Sequence, residues 1–178
     1  MPQRIAAKFV DKLSAYEHII WDWNGTVIDD VHVTSEVVAE IMEKHNLPRL
    51  SLQEYRDLFG FPVRDYYLKL GFDFSKVSFE ELSDIFMELY GKKSFEAEVF
   101  IGMVETLDAL GQDGKKLSIL SAASQEHLEK MVKHHDLHIH FTHIFGLNNH
   151  YAASKLDRGR ELIEVAGVLP RQTILVGD

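Results

Sequence analysis

The stretch His18-Ile19-Ile20-Trp21-Asp22-Trp23-Asn24-Gly25-Thr26-Val27 decides how the rest of the chain is read. His18 to Trp21 is a short apolar run that stops at an acid. Continuous apolar character over so few residues suggests a strand buried on both faces, as in parallel sheets. Asn24-Gly25-Thr26 follows at once as a turn signal. The same design recurs further on. Leu117-Ser118-Ile119-Leu120 ends at Ser121, Phe141 to Phe145 closes at Gly146, and Thr173-Ile174-Leu175-Val176 ends at Gly177-Asp178. Helical patterns lie between these runs, at Met103 to Leu110, Gln125 to His134 and Arg158 to Ala166. Strand and helix alternating at this spacing predict an α/β fold, a doubly wound parallel sheet. Right-handed crossovers put every strand's carboxyl end on one edge, where open sheets bind ligands.

Two regions depart from the alternation. Met1 to Leu13 carries Ile5, Phe9, Val10 and Leu13 at helical spacing and predicts a short helix packed on the body. From Val31 to about Glu98 the pattern is helical only. Val33, Val37, Val38, Ile41 and Met42 share one helix face. Ser51-Leu52-Gln53-Glu54 and Ser78-Phe79-Glu80-Glu81 have capping-box spacing, and Gly60-Phe61-Pro62 breaks the chain between them. The aromatics Phe59, Phe61, Tyr66, Tyr67 and Phe72 suit the core of this region. The expected division is a core of residues 1–30 and 99–178 with an all-helical insert, 31–98, placed as a lid beyond the first strand.

Composition narrows the function classes. The chain has 178 residues, 46% of them hydrophobic, which suffices for a core without staples. Cysteine is absent, so thiolate metal sites and cysteine nucleophiles are excluded. A net charge of -9 argues against nucleic acid or an anionic membrane as partner. No segment is apolar enough to span a bilayer or serve as a signal peptide, and a cytoplasmic location is expected. The histidines His134, His135, His138, His140 and His143 are dense, but strand and loop spacing do not gather them, and most are expected in solvent.

Four polar groups reach the carboxyl edge: Asp22, Ser121, Lys155 and Asp178. Together they suit phosphoryl transfer, which asks for a nucleophile, positioning and charge neutralisation. A carboxylate can attack phosphorus and form an aspartyl-phosphate. Two carboxylates suit a hard, oxygen-ligated ion such as Mg²⁺. Lysine gives a compact positive charge, and a hydroxyl with backbone N–H groups can hold phosphate oxygens.

These residues resemble the motifs of the haloacid dehalogenase superfamily. Asp22-Trp23-Asn24-Gly25-Thr26-Val27 resembles its first motif, Leu117 to Ser121 its second, Ser154-Lys155 before a helix its third, and Ile174 to Asp178 the start of its fourth. The resemblance implies a Rossmann-like core under a helical cap, as in the phosphoglycolate phosphatase and β-phosphoglucomutase branch. It implies a Mg²⁺-dependent phosphatase acting on a small phosphorylated metabolite. Asp22 is implied as nucleophile and metal ligand, the Asn24 carbonyl and Asp178 as further ligands, and Ser121 and Lys155 as phosphate-holding groups. Gly25, Thr26 and Ala122 are implied to frame the phosphate, and Arg64, beside Gly60-Phe61-Pro62, to face substrate from the cap.

Two departures bear on function. Most phosphatases of the superfamily carry aspartate two residues after the nucleophile as general acid and base; here that position is Asn24. An amide neither protonates a leaving group nor activates water. His32 is a candidate substitute. Asp178 is also the last residue, so the second acid, helix and edge strand with which the family continues, the C-terminal part of its core, are missing. A metal ligand there is expected to be poorly anchored, and the strand from Thr173 to Val176 exposed. The readings to weigh are phosphomonoester hydrolysis and a catalytically weak member that binds a phosphorylated ligand or partner. Asn24 counts against a sugar-phosphate mutase, and the paired acids against metal-free dehalogenation. A dinucleotide-binding dehydrogenase is rejected because no G-x-G-x-x-G turn follows the first strand.

Overall fold

The computed structural model describes residues 2–60, 62–147 and 155–177. The chain forms two compact units, Met1–Asp29 with Glu98–Asp178, and Asp30–Ala97. In the first unit, helix α1 (Pro2–Leu13) precedes β1 (His18–Trp21) and the short strand β2 (Ile28–Asp29). The second unit holds α2 (Val31–Lys44), α3 (Leu52–Leu58), α4 (Val63–Lys69) and α5 (Phe79–Lys93). The chain then re-enters the first unit through β3 (Glu98–Val99), α6 (Met103–Gln112), β4 (Lys116–Ser124), α7 (Gln125–His134), β5 (His143–Leu147), α8 (Lys155–Ala166) and β6 (Thr173–Val176).

Four strands form one parallel sheet in the order β5-β4-β1-β6. The order reverses between β4 and β6 around the central β1, the topology of a doubly wound Rossmann-like core. Strand β1 is buried along its whole length because both faces are covered. Trp21 meets Phe9 of α1, with ring centroids 6.1 Å apart. Ile20 turns to the opposite face, as alternation requires, and packs with Leu120 and with Leu162 of α8. Each such fully buried side chain stabilises the fold by about 1.5–3 kcal/mol.

The second unit closes around its own core. Val37, Ile41, Leu82, Tyr66, Tyr67 and Phe72 are buried together. Ser51 caps α3 with a full capping box, its hydroxyl accepting from Glu54 N–H and the Glu54 carboxylate accepting from Ser51 N–H. Ser78 caps α5 through the Glu81 N–H. Asp30, buried at the head of α2, accepts from the Tyr90 hydroxyl at 2.7 Å. Phe61 lies outside the described residues.

Four boundaries differ from the sequence reading. The antiparallel ribbon of β2 and β3 is two residues per strand, too short to show a period. Strand β4 runs past Ser121 to Ser124 through a register shift against β5. Strand β5 starts at His143, after a tight 3-10 turn over Leu137–Ile139. Helix α8 begins at Lys155, not Arg158, because its first turn is polar and shows no apolar face.

Candidate active site

Asp22 stands where β1 ends, and its N–H still donates to the Val176 carbonyl at 2.9 Å, so the sheet ladder holds its backbone. Its carboxylate is gripped at both oxygens. Oδ1 accepts from the Trp23 N–H at 2.8 Å, and Oδ2 accepts from Lys155 Nζ at 2.5 Å. The Asp22 side chain is 17% exposed and that of Lys155 33%, so the pair is accessible from solvent without lying in it. The approach of β6 is equally tight. A Cβ on Gly177 would stand 3.2 Å from Asp22 Cβ, so glycine is what lets the two strand ends lie side by side.

The turn after Asp22 folds back on itself. The N–H groups of Val27 and Ile28 donate to the Trp23 carbonyl at 2.9 and 3.1 Å. Gly25 adopts φ 69°, a left-handed conformation that side chains resist. Trp23 is buried and meets the His135 ring at 6.2 Å, which anchors the turn from behind. Burial lowers the His135 pKa below its ordinary value, with the neighbouring His134 adding to it. On the neighbouring strand, Ser121 is fully buried and its hydroxyl accepts from the Ala123 N–H at 3.0 Å. The same Oγ reaches Asn24 Oδ1 at a long 3.5 Å, and Ala122 is exposed beside it.

Lys155 occupies the first turn of α8, and its helix is fixed by groups that carry no role in the sequence reading. Arg158, one turn on, is buried, donates from Nε to the Gly146 carbonyl at 2.8 Å, and lies 4.4 Å over the Phe145 ring. Gln125 accepts from the Gly146 N–H at 2.6 Å and donates to the Ile144 carbonyl at 2.8 Å. Gly146 leaves no room for a Cβ, which would meet the Ala123 carbonyl oxygen at 2.7 Å. A glycine closing a strand and an arginine three residues after Lys155 are the only signals of this clamp in the sequence.

The structure thus joins Asp22 to Lys155 and Asn24 to Ser121 at one edge, with Gly25, Thr26 and Ala122 in the same segments. Arg64 stands on α4 in the second unit, its guanidinium 4.6 Å from the centre of the Phe74 ring. Ser154 and Asp178 lie outside the described residues. Among the described residues no group of three or more His, Cys, Asp or Glu is gathered to hold a metal, the histidines 134–143 included. An apolar cavity of about 340 Å³ opens beside the turn, walled by Ile5, Phe9, Trp21, Phe100 and Met103; neither Asp22 nor Lys155 lines it. No described helix is long and apolar enough to cross a membrane.

A carboxylate at the end of a central parallel strand, paired to a lysine and flanked by a buried serine, stands where the sequence motifs resemble those of the haloacid dehalogenase-like hydrolases. The sequence profile of that family matches residues 19–178, and the chain belongs to it. It is 22% identical over 168 residues to phosphoglycolate phosphatase 1 of Pseudomonas aeruginosa. That match covers 90% of this chain but spans only 61% of the relative's length. A haloacid dehalogenase-like hydrolase of Streptococcus pneumoniae superposes with a TM-score of 0.78 at 21% identity, over 93% of this chain and 77% of that one. Protein tyrosine kinase A of Mycobacterium tuberculosis superposes with 0.79 at 19% identity, over 92% and 76%. The fold is common to proteins named for opposite directions of phosphoryl transfer, so function has to be argued from the site.

Proposed function

We propose that the chain is a metal-dependent hydrolase of small phosphomonoesters that works through an aspartyl-phosphate on Asp22. The observation that carries this reading is the Asp22–Lys155 pair at the carboxyl edge of the sheet, 2.5 Å apart. Lys155 keeps the carboxylate oriented and offsets the charge of an incoming phosphate, and the buried Ser121 hydroxyl offers a phosphate oxygen a partner. Gly25, Thr26 and Ala122 follow the same strand ends and are proposed to frame the phosphate with their backbone N–H groups. Arg64 of the helical unit is the proposed substrate contact beyond the phosphate.

The oxygen donors suit Mg²⁺. Asp22, the Asn24 carbonyl and Asp178 are the residues proposed to hold it, as hard ligands for a hard cation. When bound, such an ion neutralises phosphate charge and polarises the phosphoryl group. The kinship with a phosphoglycolate phosphatase supports a small phosphorylated metabolite as substrate. Asn24 favours a second reading, a member that binds a phosphorylated ligand without turning it over, because an amide performs no proton transfer.

Phosphate release from a panel of small phosphomonoesters, with and without Mg²⁺ and beside Asp22→Asn, decides between them. Release that requires both the metal and Asp22 is the expected result, with Asp22→Asn lowering the rate by about 10⁴-fold or more. Binding of a phosphorylated ligand with no release from any ester would establish the second reading.

A further inference from the structure

The apolar cavity beside the turn takes no part in the proposed reaction. It lies wholly within the first unit, where α1, the carboxyl end of β1 and the start of α6 come together. Its volume of about 340 Å³ falls within the range of small-molecule pockets, about 300–1,000 Å³. Ile5 and Phe9 of α1, with Trp21, Phe100 and Met103, make its wall apolar. None of the described residues that line it carries an ionisable side chain.

Two polar atoms of the lining residues are bare. Trp21 is 1% exposed, and its Nε1 is buried without a hydrogen-bond partner among the described residues. The same holds for Thr26 Oγ1. The remaining polar side chain, Thr106, is already satisfied, donating to the Gly102 carbonyl at 2.6 Å. Buried indole N–H and hydroxyl groups ordinarily find partners, and one left bare costs the fold its desolvation. An indole N–H only donates, and a threonine hydroxyl can donate, so the group that suits both is an acceptor oxygen. With no cation in the wall, a carboxylate or phosphate would lose its water without compensation.

We propose that this cavity is a second binding site, for an uncharged, largely apolar molecule that carries one acceptor oxygen, held by Trp21 Nε1 and Thr26 Oγ1. Its occupant meets the residue before Asp22 and the end of the turn after it. The site stands whether or not the chain hydrolyses phosphate esters.

The test follows the indole N–H resonances of the isotope-labelled chain during titration with acetophenone, toluene or benzoate. The chain has two tryptophans, and Trp23→Phe assigns which resonance belongs to Trp21. Acetophenone is expected to shift the Trp21 resonance saturably. Toluene, which keeps the ring and methyl group but has no oxygen, binds about 2–10-fold more weakly, the worth of one hydrogen bond. Benzoate leaves the resonance in place. Thr26→Val weakens acetophenone by a similar factor of about 2–10 and leaves toluene unchanged. Ile5→Trp, on α1, fills the cavity and abolishes binding of both neutral probes.

A Trp21 resonance that acetophenone does not move, in a well-dispersed spectrum of the folded chain, overturns the proposal. So do shifts that rise without saturation at both tryptophans alike, which mark non-specific contact. Benzoate binding more tightly than acetophenone overturns it as well, and so does acetophenone affinity unchanged in both Thr26→Val and Ile5→Trp.

Discussion

Strand β1 carries a polar pair at each end, and the two are built to opposite specifications. At the amino end, His18 and Ser118 are completely buried and share one hydrogen bond of 2.8 Å. At the carboxyl end, Asp22 and Lys155 are both charged and remain partly open to solvent. The buried pair stays neutral because water cannot reach it. Burial first, then the positive charge of Lys116 and the nearby His143, lower the His18 pKa from 6.5 to about 4. His18 Nδ1 has no hydrogen-bond partner among the described residues, so a second ring proton would be buried without an acceptor. The open pair is reached by solvent and joined at 2.5 Å. On the proposed function, one strand therefore devotes its sealed end to stability and its open end to chemistry, and substitutions at the two ends should separate these properties.

The largest separation is expected at Lys155. Lys155→Met should lower kcat/KM for the best ester of the panel by about 10²–10³-fold, the scale of losing one charge-stabilising donor. Its urea midpoint should move little, because a partly exposed ion pair contributes about 0–1 kcal/mol. Equal losses of stability and activity would break the contrast.

Acid should act on the other end. The folded state binds the His18 proton more weakly than the unfolded state, so the unfolded chain holds more protons between the two pKa values. Stability from this group is intact above pH 6.5 and is lost as pH falls from 6.5 towards about 4. The loss amounts to about 3 kcal/mol across that window, because each pH unit between the two pKa values is worth about 1.36 kcal/mol. Urea titrations at stepped pH measure it, and the His18→Gln variant should lack that part of the slope. An unchanged slope in the variant would place the titration elsewhere.

The smallest effect sharpens the same point. Ser118→Ala should cost about 1–3 kcal/mol, because it leaves the buried His18 Nε2 without its partner, with kcat per folded molecule unchanged. A change in kcat would mean that the sealed end communicates with the open one.

The two ends are unequally legible in the sequence. Asp22 announces itself by ending an apolar run before Asn24-Gly25-Thr26, and the capped helices of the insert by Ser51 and Ser78 at fixed offsets from Glu54 and Glu81. Ser121 stands out as the last residue of an apolar run, although β4 continues beyond it. The His18–Ser118 bond joins residues 100 apart in sequence, and no local pattern marks it. Lys155 reads as a loop residue because the apolar face of α8 shows itself only at Leu162, Ile163 and Ala166. What escapes is long-range pairing, which depends on strand register, and register is fixed by the packed sheet rather than by any one segment.

Arg158 of α8 and Gln125 of α7 both fasten the end of β5. One side of this joint is secured at Gly146, through its N–H and its carbonyl; the other is Arg158 itself, three residues after Lys155. In engineering terms this is a socket with its two terminals soldered to the board. Both terminals lie within the described residues, and the ammonium group of Lys155 keeps its seat on the carboxylate because the helix that carries it is fixed at Arg158.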